Sequence, residues 1–323
     1  MSKKKRSKIH PKYKTKYQVR HWNEYDKSLV SRGDLTIWFS EAAIAAWRPE
    51  PSGALGRPQS YSTLAIETAL ALRLVYSLPW RQTEGLLGSL IRLVGLRLRT
   101  PDHIALSRCA SSSRIELKRP ERTGPLHLVV DATGLKVFGQ GEWAAWKHGA
   151  RKAGPGWRKL HIGVEQDGFI VAAKLTDASI TDAAVVPDLL GQLDVLVASF
   201  TADGAYDGRP VYDAVLTAGP APRIVIPPIR TARVAGPLEP SLRQRDAAIE
   251  AIGRDGRRQW KKTSGYHQQA RAENGFSRFK RIFGPSLRAR CEAGQNLEVK
   301  VACDVLNRMS ALGLPHSAAR LAA

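Results

Sequence analysis

The chain has 323 residues, enough for two domains or for one domain with appendages, and 43% of them are hydrophobic, which excludes a wholly disordered protein. Fifty Lys and Arg against 29 Asp and Glu leave a net charge of +21, a field that attracts polyanions and makes nucleic acid the leading partner. No apolar run reaches the roughly 18 residues of a spanning helix, and three scattered cysteines (Cys109, Cys291, Cys303) suggest neither a disulfide framework nor a zinc knuckle.

Residues 1–20 carry nine basic side chains and no acidic one. Such a block repels itself in isolation and reads as an arm laid on phosphates, or more simply as a solubilising tail. No apolar stretch follows it, so it is not expected to be a secretory signal. Residues 21–60 are mixed and end in the Pro/Gly-rich stretch RPEPSGALGRP. A helix over 62–78 comes next, capped by Ser62 or Thr63 and broken by Pro79. A second apolar helix runs from Trp80 to Leu98 despite Gly85, Gly88 and Gly95, and Thr100-Pro101 opens a short third. Helices at this spacing fit a helix-turn-helix and an ordinary bundle equally well.

The composition shifts at GPLHLVVDATGLKVF, where an apolar run meets a carboxylate and predicts a buried strand ending at Asp131. RKLHIGVEQ and GFIVAAKLT predict two strands around a turn at Asp167-Gly168. Residues 181–193 read as a helix, VLVASFTADGAYD as a fourth strand ending near Asp203, GRPVYDAVLTAG as a helix closed by Gly219, and RIVIPP as a fifth strand. Residues 229–265 are basic and irregular with one helix near 241–252; a long helix from about 266 to 282 and a last one over about 295–312 follow. This succession predicts an α/β fold, a mixed sheet flanked by helices, behind a helical N-terminal region.

Three carboxylates stand out by position: Asp131 and Asp203 at strand ends, and Glu273 in the late helix, GYHQQARAENGFSRFK. Hard cations such as Mg²⁺ take oxygen ligands, one or two carboxylates each, with water and phosphate completing the shell. Two such ions, roughly 3.5–4 Å apart, can activate a water or a 3′-hydroxyl and stabilise the leaving oxygen. Each residue alone has a plainer reading: an aspartate after a strand is often a turn former or a cap, and a helical glutamate is usually solvated. At 100° per residue, Tyr266, Gln269, Glu273 and Lys280 fall within about 60° of one another and form one polar stripe.

The segments YDKSLVSRGDLTIWF, LPWRQTEGLLGSL, VVDATGLKVFGQGEW, WRKLHIGVEQDG, TADGAYD, IPP, WKKTSGYHQQ and AENGFSRFK resemble, in the same order, those of bacterial DDE transposases of the insertion sequence five family. The resemblance implies a ribonuclease H-like core with Asp131, Asp203 and Glu273 as catalytic and metal-binding residues, Asp207 being a rival for the second position. It implies two Mg²⁺ ions, with Mn²⁺ able to substitute. The implied activity is binding of the element's terminal inverted repeats, cleavage, and strand transfer into target DNA in the bacterial cytoplasm, by a homodimer or larger assembly. Tyr266, Glu273 and Lys280 match the family's late-helix pattern, whereas Gln269 stands where an Arg is expected. Gln lacks the fixed charge and fork of Arg, so a catalytically impaired relic that only binds DNA is the alternative reading. Expected DNA contacts are Lys136, Arg158, Lys159, Lys261, Lys262, Tyr266, Gln269 and Lys280, with Lys147, Arg151 and Lys152 on the approach to the second strand. Residues 243–290, with thirteen basic and four acidic side chains, would form a track beside the site. Trp143, Trp146 and Trp157 read as core or as stacking platforms for a displaced base. His148, His161 and His267 show no metal-ligand spacing. The expected organisation is a basic arm (1–20), a helical DNA-binding region (21–120), a catalytic core (121–312) with an insertion at about 229–265, and a tail (313–323).

Overall fold

In the computed structural model, which describes residues 17–49, 60–112, 117, 124–137 and 156–319, the chain opens with a short strand, β1 (Tyr17–Val19), and helix α1 (Trp22–Ser31). Ser40 and Ser62 then each accept a hydrogen bond from the backbone N–H three residues on, which starts α2 (Glu41–Ala45) and α3 (Thr63–Val75). Helix α3 is buried around most of its circumference, as an Ala- and Leu-rich helix in the middle of a bundle should be. The helix predicted from Trp80 to Leu98 is shorter: α4 (Trp80–Leu93) ends where Gly95 takes a left-handed φ of 74°. Helix α5 (His103–Ser112) follows after Thr100-Pro101.

The sheet has six strands. Strand β2 (Leu126–Val137) pairs antiparallel with β3 (Trp157–Glu165), which pairs antiparallel with β4 (Ile170–Asp177). On the other flank of β2 lie β5 (Val197–Thr201) and then β6 (Arg223–Val225), both parallel. The spatial order β4-β3-β2-β5-β6 flanked by helices is the ribonuclease H-like arrangement. Residues 181–193 give a 3₁₀ turn (Ala183–Val185) and the short helix α6 (Val186–Leu190) rather than one continuous helix. Helix α7 (Arg209–Thr217) packs with α6 on one face of the sheet, around Leu128, Val130, Phe200 and Tyr212.

Residues 229–265 hold two helices, α8 (Arg243–Asp255) and α9 (Arg257–Thr263), separated at Gly256, whose φ of 80° stops the first. The late helix is also divided: Gly265 is left-handed, Tyr266–Gln269 is a 3₁₀ turn, and α10 begins at Ala270 and runs to Phe283. The α-helical angles assumed from Tyr266 onward therefore hold only within α10. A two-residue strand, β7 (Ser286–Leu287), returns to β2, and α11 (Glu292–Ala311) leads to β8 (Ser317–Ala319), which pairs antiparallel with β1.

The other face of the sheet carries a core that joins Val129, Ile162 and Val164 to Ala272, Phe276, Leu297 and Val305, and also to Trp38, Trp47, Leu70, Leu72, Leu87 and Leu106. The N-terminal helices thus share their core with the sheet. Gly219, expected only to close a helix, has a tighter reason to be glycine. A Cβ there would stand 2.3 Å from the Val197 carbonyl oxygen at the start of β5. Gly219→Ala is expected to displace that strand and cost about 1–3 kcal/mol, seen as a lower urea midpoint; an unchanged midpoint contradicts the close approach.

Candidate active site

Strand β2 is paired unevenly, and this makes room for a site. Its β3 flank is continuous from Leu128 to Lys136. Its other flank pairs with β5 only over Leu126–Val129 and with β7 only at Lys136–Val137. The gap opens at Asp131, which lies inside β2 and not at its end as the sequence suggested. Val129 is the register partner of Thr201, so Asp131, inside β2, and Asp203, just past the end of β5, both stand two residues beyond that pair.

Each carboxylate is held locally. Asp131 Oδ1 accepts from the Ala132 N–H at 2.8 Å. Asp203 caps a 3₁₀ turn, Gly204–Tyr206, with Oδ1 accepting from the Ala205 N–H at 2.9 Å. Glu273 is exposed in the first turn of α10, a helix laid on the sheet through Ala272, Gly275, Phe276 and Phe279. Gly275 allows this approach, since a Cβ there would meet Ile162 Cδ1 at 3.2 Å. Ile162 is the register partner of Asp131, so the helix that carries Glu273 comes down beside that aspartate.

The electrostatics link the three. The Asp131 carboxyl is pushed up to about 6, first by burial and then by the charges of Asp203, Glu273 and Asp182, against the lowering effect of the Ala132 N–H. The Tyr266 hydroxyl is pushed up by burial and by Asp203, Asp131 and Glu273. An all-oxygen donor set whose members repel one another suits a hard divalent cation. Among the described residues no group of three or more His, Cys, Asp or Glu is placed so that it could hold a metal ion by itself. Mg²⁺ asks for only one or two carboxylates, with waters and substrate phosphate completing its shell, so the donor set fits it.

Asp207, the rival for the second position, is committed elsewhere. Its fully buried carboxylate receives Arg245 Nε at 2.7 Å and Nη2 at 3.2 Å, and also the Ile229 N–H at 2.9 Å. That is a structural bracket between the turn that precedes α7 and helix α8.

The basic residues divide into two groups. Lys136 is exposed, its ammonium 5.2 Å from the centre of the Trp157 ring, which is itself 44% exposed and rests on Gly134. Lys261 lies 4.5 Å over the Tyr266 ring, and Arg258, Lys261, Lys262, Tyr266 and His267 line a shallow basic depression. Lys280 donates to Thr133 Oγ1 at 2.7 Å, two residues along β2 from Asp131. Three expected contacts point inward instead. Arg158 is 9% exposed and ion-paired with Asp177. Lys159 donates to the Ile180 carbonyl at 2.9 Å and to Asp182 at 3.1 Å. Gln269 is 5% exposed, and its Nε2 donates to the Val130 carbonyl at 3.1 Å on the open flank of β2. The reason is common to all three: a polar side chain on a buried strand or turn must find a partner inside. Lys147, Arg151, Lys152, Trp143, Trp146, His148 and residues 1–16 lie outside the described residues.

Sequence reasoning passed over Asp182, which acts on Asp131, and Tyr206, which has Asp131 and Asp203 as neighbouring charges. An acidic residue just past β4 was the available signal for the first, and the tyrosine three residues after Asp203 for the second.

A family model described as a transposase DDE domain matches residues 122–307, and a second with the same description matches residues 30–140. The chain belongs to the DDE transposase family. The family's work is DNA transposition and recombination with bound metal, and its partner is DNA. Among the described residues no helix is long and apolar enough to cross a membrane.

The Asp131 environment has a consequence for stability. A carboxyl raised from 3.8 to about 6 holds its proton more tightly in the folded state. Stability is therefore lost as pH rises from about 4 through about 6. In metal-free buffer, Asp131→Asn is expected to gain on the wild type in denaturant midpoint across that window and to stay ahead at higher pH. A difference between the two that is flat with pH contradicts the buried, repelled carboxylate.

Proposed function

We propose that the protein is a transposase of the insertion sequence five family, with Asp131, Asp203 and Glu273 as its catalytic residues. The observation that carries this reading is geometric: Asp131 and Asp203 both stand two residues past the Val129–Thr201 register pair, and the helix of Glu273 packs through Gly275 on Ile162, the register partner of Asp131, in a DDE-family chain. The reaction is hydrolysis of a phosphodiester at each end of the element, followed by attack of the freed 3′-hydroxyl on target DNA. Asp131 and Asp203 would share divalent ions, and Glu273 would complete the second site. Two Mg²⁺ ions, for which Mn²⁺ may be exchanged, supply activation of the nucleophile and stabilisation of the leaving oxygen when bound.

The chain's own residues position the DNA. Lys280 bonds a neutral hydroxyl and so keeps its positive charge beside β2, where it can hold a backbone phosphate next to Asp131. The depression at Arg258, Lys261, Lys262 and Tyr266 extends the phosphate path along α9. Lys136 and the ring of Trp157 offer a charge and a stacking face on the far side of β2. We assign Arg158, Lys159 and Gln269 to holding the sheet rather than to DNA. Gln269 then does not argue for an inactive relic, because its amide supports the strand that carries Asp131. Terminal inverted repeats are the specific substrate, and joining two ends needs a dimer or larger assembly on DNA.

The test is cleavage and strand transfer on DNA bearing the ends of the element, with Mg²⁺ or Mn²⁺. Wild type is expected to cut and join, and Glu273→Gln to fall by about 100-fold or more while still binding DNA. Salt-sensitive binding with no cleavage by the wild type rejects the reading. Replacing Lys261 and Lys262 together by Ala is expected to flatten the dependence of log affinity on log salt by about 0.9 per lost phosphate contact; an unaltered slope removes α9 from the phosphate path.

A further inference from the structure

Side chains two apart on a strand share a face, and the parallel register of β2, β5 and β6 sets them in rows. His127, Ser199 and Arg223 are partners across the three strands, and Val129, Thr201 and Val225 make the next row. Asp131 and Asp203 stand two residues further on, on the same face. Four residues of β2 separate His127 from Asp131, about 13 Å at roughly 3.3 Å per residue.

A cavity of about 200 Å³ lies over the first two rows and is lined on its other side by Ser264, Gly265 and Gln268. The second row is buried, whereas His127 and Arg223 are exposed, so the cavity is reached from the end away from Asp131. None of the described residues that line it is Asp or Glu, while an arginine, an imidazole and three hydroxyls are among them. Such a lining suits an anion.

The donors are set in place by bonds to one another. Arg223 Nη2 donates to the Ser264 carbonyl at 2.8 Å, which fixes the guanidinium through one of its five N–H groups. His127 Nδ1 lies 2.8 Å from Ser199 Oγ. When that nitrogen accepts from the hydroxyl, the other ring nitrogen carries a proton to donate. Ser264 Oγ is buried and has no hydrogen-bond partner among the described residues. A buried hydroxyl left in that state is rare in a folded protein and calls for a partner from outside the chain.

We propose that this cavity is a phosphate subsite, in which Arg223, His127 and Ser264 bind one backbone phosphate of the DNA. Guanidinium and phosphate meet through parallel charge-assisted N–H bonds, and the serine hydroxyl supplies a further donor. DNA is the source of the phosphate because it is the family's partner and because a basic path leads to the cavity. Tyr266 and His267 line the depression that holds Arg258, Lys261 and Lys262, and Ser264, Gly265 and Gln268 of the same turn line the cavity. At a rise of about 3.4 Å per nucleotide, the 13 Å along β2 puts the bound phosphate about four nucleotides from the cleaved bond. That placement rests on Asp131 and Asp203 being the catalytic pair.

The experiment measures binding of the full chain, in metal-free buffer, to DNA bearing the element's ends in which one phosphate at a time is replaced by an uncharged methylphosphonate. Wild type, Arg223→Gln and Ser264→Ala are compared. Wild type is expected to lose about 10-fold in affinity at one phosphate near the fourth nucleotide from the cleaved bond. Arg223→Gln is expected to lose about 10-fold on unmodified DNA and nothing more at that phosphate, the mark of two groups in one contact. Ser264→Ala removes a hydroxyl that bonds nothing in the free protein, so it carries the test alone if Arg223→Gln fails to fold; its loss is expected to be about threefold, with the same lack of additivity. Penalties that add at every position overturn the subsite. Additive penalties together with inorganic phosphate that binds wild type but not Arg223→Gln, at matched ionic strength, make free phosphate the ligand and overturn the DNA assignment. Non-additivity at a phosphate a helical turn or more away, about 10 nucleotides, keeps the subsite and overturns the catalytic pair from which its position was measured.

Discussion

Asp131 stands half-buried in β2, where burial first and then the charges of Asp203, Glu273 and Asp182 disfavour its ionised form, and the structure around it must accommodate that cost. Like charges held together out of water raise the free energy of the folded state unless something offsets them. Part of the offset is local, in the Ala132 and Ala205 N–H groups that bond Asp131 and Asp203. The rest is what a divalent ion and a phosphate would supply. The open flank of β2 between β5 and β7 gives that pair of ligands somewhere to sit, and Lys280 and Gln269 bond the strand from the same turn and helix that carry Glu273.

The basic side chains of this +21 chain serve two ends. On β3 and on α8 they bracket carboxylates, as Arg158 does with Asp177, Lys159 with Asp182 and Arg245 with Asp207. A charge in such a place must be paired, since leaving it alone costs more than the pairing returns. Nearer the surface they lie over aromatic rings, as the exposed Lys136 does on Trp157 and the half-buried Lys261 on Tyr266. Composition records only the sum of both groups.

The N-terminal helices belong to the same packing unit as the site. Trp38, Leu70, Leu87 and Leu106 enter one core with Val129 and Ile162, so those helices are packed against the strand that carries Asp131. The strands β1 and β8 pair the beginning and end of the described chain, and Arg32 donates to the Gly313 carbonyl at 2.7 Å across the same junction.

The sequence by itself determined the regular elements whose causes are local. Apolar runs gave β2 to β5, Ser62 started α3, which ends at Val75 ahead of the expected break at Pro79, and the ordered motifs marked Asp131, Asp203 and Glu273. It did not show the division of the late helix at Gln269, because the left-handed Gly265 and the 3₁₀ turn after it are fixed by contact with β2. It missed β1, β7 and β8, which are too short to carry a pattern and exist only through their partners. Only the tertiary structure decided which basic residues face inward, that Asp207 is bracketed by Arg245, and that Asp182 is paired with Lys159. Those outcomes depend on residues far apart in the chain meeting in one desolvated place, where pairing is enforced by the cost of burial and not by any neighbour in sequence.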